Sequence, residues 1–196
     1  MKIDKRLNLT FTIDGAEDGS VVHIHSVPIS AAVFEKYYLP ISKVVAGVFS
    51  EGIGVVGGPR VASLMLKQIA TNLEMWDGPE GVERGLMAEI RRLTNALVLR
   101  DGGWEAMPIE DAFKAGLISE GDFKEAESQV TFFTCVCAVH HKKSLPQTLA
   151  QMCGLWDQQT LYSNVTEYKN SLPTSTPEEI TAESAQTLTP LSSIPR

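Results

Sequence analysis

Leu7, Leu9, Phe11 and Ile13 alternate with Asn8, Thr10, Thr12 and Asp14, and this period-two pattern is the tightest constraint the chain places on its own fold. Successive side chains of a strand point to opposite faces, so the run demands a sheet whose apolar face something else must cover. After the turn-rich GAEDGS comes VVHIHSV. Together they give a β-hairpin over about residues 6–27, with Val22 and Ile24 facing inward and His23 and His25 on the solvent face. Pro28 has no N–H to give and ends the ladder.

The rest of the chain reads as helical. Ser30 is placed to cap a helix that Pro40 interrupts or kinks. Past the glycine stretch 52–58, Pro59 is expected in the first turn of a helix carrying Val61, Leu64, Met65, Ile69 and Leu73 along one side. Pro79 is read the same way, opening a helix to residue 98 in which Val82, Leu86, Ile90, Leu93 and Leu97 recur at helical steps and Glu80 precedes Arg84 by four. RDGGWEAMP reads as a turn with a short extended piece, and PIEDAFKAGLI as a short helix closed at Gly116. Ser119 with Asp122 resembles a capping box opening a helix over 120–142. A further helix spans 145–156, and 157–172 carries at most a small helix started by Thr166.

From Pro173 onward, 13 of 24 residues are Ser, Thr or Pro and none is aromatic. Such a segment buries too little apolar surface to offset roughly 1–2 kcal/mol of backbone entropy per residue. The expected organisation is therefore α+β and mainly α-helical. A single globular domain over 1–172, with its hairpin at about 6–27 and helices at about 30–172, precedes a flexible Ser/Thr/Pro-rich tail at 173–196.

Composition narrows the function classes. A net charge of −7 disfavours attraction to phosphate backbones and anionic membranes, so neither nucleic acid nor membrane is an expected partner. Cys135, Cys137 and Cys153 are an odd number in or beside apolar stretches, which fits a reducing cytoplasm better than a disulfide framework. The opening MKIDKRLNLTFTIDG lacks the apolar run of a signal peptide. The sequons at Asn8 and Asn164 are then coincidental.

Each candidate site has a plainer structural explanation. Gly52-x-Gly54-x-x-Gly57 has the glycine spacing of a dinucleotide-binding loop, but that loop needs a strand before it and repeating βαβ units around it. Helix is expected before Gly52, so the glycines are read as a hinge between helices, and Asp77 as a chance acid at the ribose-binding distance. A weaker alternative is anion binding by Gly57, Gly58 and Arg60 at a helix N-terminus. In TFFTCVCAVHHKKSLP, Cys135 and Cys137 would point roughly 160° apart on a helix and cannot share a metal. Cys137 with His141 has two-ligand spacing, with Cys153 as a possible third ligand, but Phe132, Phe133, Val136, Cys137 and Val139 describe a core helix better. Glu89 to Arg92 reads as a solvated helix face, and Trp76, Trp104 and Trp156 as caps at the edges of a core. No catalytic, cofactor-binding or metal residue is assigned.

Several stretches taken together, MKIDKRLNLTFTIDG, GVVGGPRVASLMLK, MWDGPEGVERGLMAEIRRLTN, the TFFT…VHH helix and SLPTST running to SSIPR, resemble the tail assembly chaperone group of long-tailed bacteriophages. The resemblance covers nearly the whole chain and implies a non-enzymatic protein of the host cytoplasm. Such a protein binds the tape measure protein and helps recruit tail tube subunits during tail morphogenesis, with homo-oligomers possible. It carries no site residues across. The alternatives are a structural virion protein of the phage tail or connector, and a nucleotide- or metal-dependent enzyme.

Overall fold

A computed structural model describes residues 7–16, 20–140, 143–155 and 158–173. The alternating run forms β1 (Asn8–Asp14), antiparallel to β2 (Val21–Ser26) with Phe11 opposite Ile24. Two further strands, β3 (Thr94–Arg100) and β4 (Gly103–Pro108), and the three-residue β5 (Gln159–Leu161) complete an antiparallel sheet in the order β4-β3-β2-β1-β5. Leu9, Phe11, Val22, Ile24, Ala96 and Val98 all belong to the main apolar core, and strand alternation puts them on one face. The chain is thus α+β and mainly helical, with an N-terminal hairpin followed by helices.

On that face the core is built with α1 (Ala31–Ser50), α2 (Gly54–Asn72) and α5 (Glu120–Val139). Ser30 caps α1 by accepting from the Val33 N–H, and Ser119 caps α5 by accepting from Asp122 at 3.2 Å. The kink in α1 falls at Tyr37 (φ −111°, ψ 21°), one turn before Pro40, whose ring displaces the preceding turn. Tyr37 is buried and its hydroxyl donates to the Glu80 carbonyl at 3.1 Å. A Cβ on Gly85 would lie 1.7 Å from that hydroxyl, so the bend of α1 is fitted to a glycine in the facing segment.

Gly52 and Gly54 take φ of +72° and +61° between α1 and α2, conformations open to glycine and costly for other residues. A helix therefore leads into Gly52. Gly57, Gly58 and Pro59 lie inside α2, so Pro59 is not in its first turn as expected. The expected apolar stripe of α2 is also displaced. Gly58, Pro59, Ala62, Leu66 and Ala70 face the core, whereas Leu64 is 67% exposed. Small residues win the inner face because α2 lies close against α5: a Cβ on Gly58 would come within 2.5 Å of the Phe132 ring, and the Ser63 N–H donates to Ser128 Oγ at 3.3 Å.

The long helix expected to residue 98 is the main correction. A π-helical segment, Glu83–Met87, leads into the short α3 (Ala88–Arg92), and the chain then turns into β3. Leu97 fits a helical step from Leu93, but Thr94–Arg100 alternates equally well. Asp101 and Gly102, with φ of +49° and +77°, make the two-residue turn that pairs Arg100 with Gly103. That hairpin pulls 94–100 into the sheet. Glu80 accordingly pairs with Lys36, not Arg84.

The short helix α4 (Ile109–Lys114) closes at Gly116, φ +73°, as expected. Helix α5 stops at Val139 and α6 (Leu145–Cys153) at Cys153, each shorter than expected. Within 157–172 lie β5 and α7 (Val165–Ser171). Asn164, not Thr166, starts α7 through a capping box with Glu167. Beyond Pro173 the expected tail lies outside the described residues, as do His141 and Trp156.

The packing of α2 on α5 gives a direct test. Gly58→Ala should cost about 1–3 kcal/mol because the new methyl has to displace a buried ring, whereas Gly121→Ala, 3.7 Å from the nearest atom it would meet, should be neutral or slightly stabilising. Urea unfolding of both variants checks the pair.

Candidate functional site

Three places gather side chains that could do more than fill space. The first is an apolar groove of about 350 Å³ where the entry to α1, the C-terminal end of α5 and the first turn of α6 meet. Ile29 and Phe34 line one side, Cys137 and Ala138 another, and Leu145 with Pro146 a third. Among the described lining residues His140 alone carries an imidazole, and its Nδ1 lies 3.0 Å from the Val136 carbonyl. Among the described residues the lining holds no Lys, Arg, Asp or Glu, which favours an apolar ligand segment. Its lining comes from parts of the chain more than 100 residues apart, from Leu7 to Tyr162.

Beside it the thiols divide. Cys135 is fully buried and Cys137 half-buried at the groove wall. Burial pushes the Cys135 thiol up to about 12 and Cys153 to about 11, and raises Cys137 as well. Neutral thiols are poor nucleophiles and poor ligands, and Cys135 packs in α5 as a small apolar group. Among the described residues no group of three or more His, Cys, Asp or Glu converges on one point.

The second place is a wider cleft of about 500 Å³ between α2 and the N-terminal half of α5, lined by both signs of charge. Arg91 sits in it, 2.5 Å from Glu127 and 3.0 Å from Glu83 with Glu110 at 3.9 Å. Sequence placed Arg91 on a solvated helix face, but its side chain is only 20% exposed because the π-helical segment turns it toward α5. Arg92 does face solvent, paired with Glu89. Arg60 lines the same cleft. The anion reading of Gly57, Gly58 and Arg60 loses its amides, since α2 begins before these glycines and the Gly57 N–H is bonded to the Ile53 carbonyl. Trp76 borders this cleft with Lys67 Nζ 5.7 Å from its ring centre.

The third place overturns an expectation. Alternation predicts a solvent face for His23 and His25, yet His25 is fully buried and His23 half-buried. The second face of the sheet is covered too: Tyr168 of α7 lies 5.8 Å from the His25 ring and 6.2 Å from the His23 ring. Trp104 packs edge-on against His23 at 4.8 Å and donates its Nε1–H to the Pro173 carbonyl at 2.8 Å. Leu97 and Trp104 are buried there, apart from the main core. A seven-residue helix over a polar strand face leaves no strong pattern in sequence.

Comparison with protein-family models, with curated proteins and with solved structures yields no match.

The Arg91 cluster predicts an asymmetric cost. Arg91→Met leaves Glu83 and Glu127 partly buried without their counter-charge, and should destabilise the fold by about 2–4 kcal/mol. The double variant Arg91→Met, Glu127→Gln should recover a large part of that loss, as chemical denaturation of both would show.

Proposed function

We propose that this chain is a non-enzymatic tail assembly chaperone of a long-tailed phage, binding the tape measure protein and helping to recruit tail tube subunits. Two things support the reading. One is the resemblance carried by GVVGGPRVASLMLK, MWDGPEGVERGLMAEIRRLTN and the other stretches quoted above. The other, which carries it physically, is the groove lined by Ile29, Phe34, Ala138, Leu145 and Pro146.

A chaperone for a long, apolar-rich client must hold apolar side chains without chemistry, releasing them later to a competing assembly. A helix laid into an apolar groove does this through burial alone, with affinity set by a few anchors at helical spacing. An opening of this size takes one or two anchor side chains. Modest burial per site suits a client that is handed on, because each anchor contributes about 1.5–3 kcal/mol at most. The acidic surface adds solubility to such a complex.

Co-expression with the tape measure protein of the same genome, followed by affinity purification, tests the reading. The two should co-purify from the native chain. Ala138→Arg, which puts a charge into the groove wall, should reduce the recovered client by about tenfold, the equivalent of 1.4 kcal/mol, with the circular dichroism spectrum unchanged.

A further inference from the structure

Residues 159–173 cross the second face of the sheet as β5, a turn and α7. The segment is tied down mainly by contacts to β1 and β2, among them the Thr10 hydroxyl, which donates to the Gln159 carbonyl at 3.4 Å and bonds the Tyr168 side chain. β5 pairs with β1 over three residues. The Ser163 carbonyl accepts from Asn8 Nδ2 at 2.7 Å and from His25 Nε2 at 3.1 Å. At the far end Pro173 accepts from Trp104. None of α7's own residues is buried, yet the floor beneath it is sealed: His25 is 0% exposed, Thr10 3% and Asn8 6%. A cover with little apolar area of its own lies over a polar floor.

That floor is incompletely satisfied. Nδ1 of His23, Nδ1 of His25 and Oδ1 of Asn8 are buried without hydrogen-bond partners. Three buried polar atoms without partners make the closed arrangement costly to hold. Segments with small buried apolar area and such costs are the ones that open first.

We propose that residues 159–173 form a detachable strap, latched while His23 and His25 are neutral and released when they take up a proton, uncovering a sheet face of Asn8, Thr10, His23, His25, Leu97 and Trp104. With Nε2–H donating to the Ser163 carbonyl, neutral His25 keeps its lone pair on Nδ1. A second proton lands on Nδ1, where a buried cation finds no acceptor on another residue. Among the described residues, the strands and helix around the two rings present few charges. β1 presents Asn8 and Thr10, with Asp14 at its far end; β3 presents Asn95 and Leu97 opposite His25 and His23; β4 presents Trp104. From α7 comes Tyr168, kept neutral by burial, while Glu167 is engaged by the Asn164 N–H.

Burial holds both histidines below their ordinary 6.5, the His25 ring's contacts with the Ser163 backbone and with its own backbone opposing this only in part. The opened strap binds protons that the closed one refuses. Closure is therefore at full strength above about pH 6.5 and weakens as pH falls through that value toward the depressed one. Tyr162 of the strap also lines the rim of the apolar groove, so opening the strap would remove one wall residue from it.

Hydrogen exchange of the full chain, read by mass spectrometry at about pH 7.5 and about pH 5.5 and corrected for intrinsic rates, tests this. Peptides covering 8–12 and 159–172 should lose protection by about tenfold or more at the lower pH while those covering 58–70 and 126–136 keep theirs. The double variant His23→Gln, His25→Gln should stay closed at both. Tyr168→Ala, with both histidines present, should open the strap already at the higher pH. Equal protection of 159–172 at both pH values, loss of protection together with α5, or a Tyr168→Ala strap as protected as the native one would overturn the proposal.

Discussion

The close approach of α2 to α5 is the constraint on which the rest of the architecture depends. Gly58 meets the Phe132 ring with no room for a Cβ, and α5 from Ser128 to Val136 is buried without interruption. A helix buried on nearly every side needs neighbours on every side. Helices α1 and α2, the apolar face of the sheet and α6 all supply part of that enclosure. Cys135, Thr131 and Thr134 in α5 are small for the same reason, and Thr131 turns its hydroxyl back to the Glu127 carbonyl at 2.7 Å so that no polar group is stranded.

What sequence could reveal follows from how local each signal is. The hairpin, the caps at Ser30 and Ser119, the break near Pro40 and the stop at Gly116 are all encoded within a few residues of where they act, and each was legible. Residues 94–100 were misread because Leu93 and Leu97 satisfy a helical step and a strand alternation alike. The turn that decides between them, Asp101-Gly102, lies just downstream; RDGGWEAMP reads as a turn and a short extended piece, but nothing local pairs that piece with 94–100. The apolar stripe of α2 was displaced for a different reason. Tight packing selects glycine and alanine for the inner face, against the rule that large apolar residues point inward.

The candidate sites show the same division. The glycine motif and the thiols could be judged in advance because helical geometry constrains them locally. The groove could not be foreseen, since Leu7, Phe34, Ala138, Leu145 and Tyr162 come together only through the fold. Nor could the burial of His25, which depends on a seven-residue helix more than 130 positions away. Polar strand residues look solvent-facing until something covers them, and here Tyr168 of α7 does so together with the Ser163 and Pro173 carbonyls that flank the helix.

The molecule has two faces of different character: a groove lined mainly by apolar residues at one end of the helical layer, and a histidine-floored sheet face beneath α7. The claim that carries the functional reading is that a client's apolar side chains enter the groove. A photo-crosslinking residue placed at Ala138, with a second at the exposed Leu64 as control, tests it in cells that also make the tape measure protein. The account predicts crosslinks to that protein from position 138 and few from position 64. Crosslinks from 64 alone, or from neither, would contradict it.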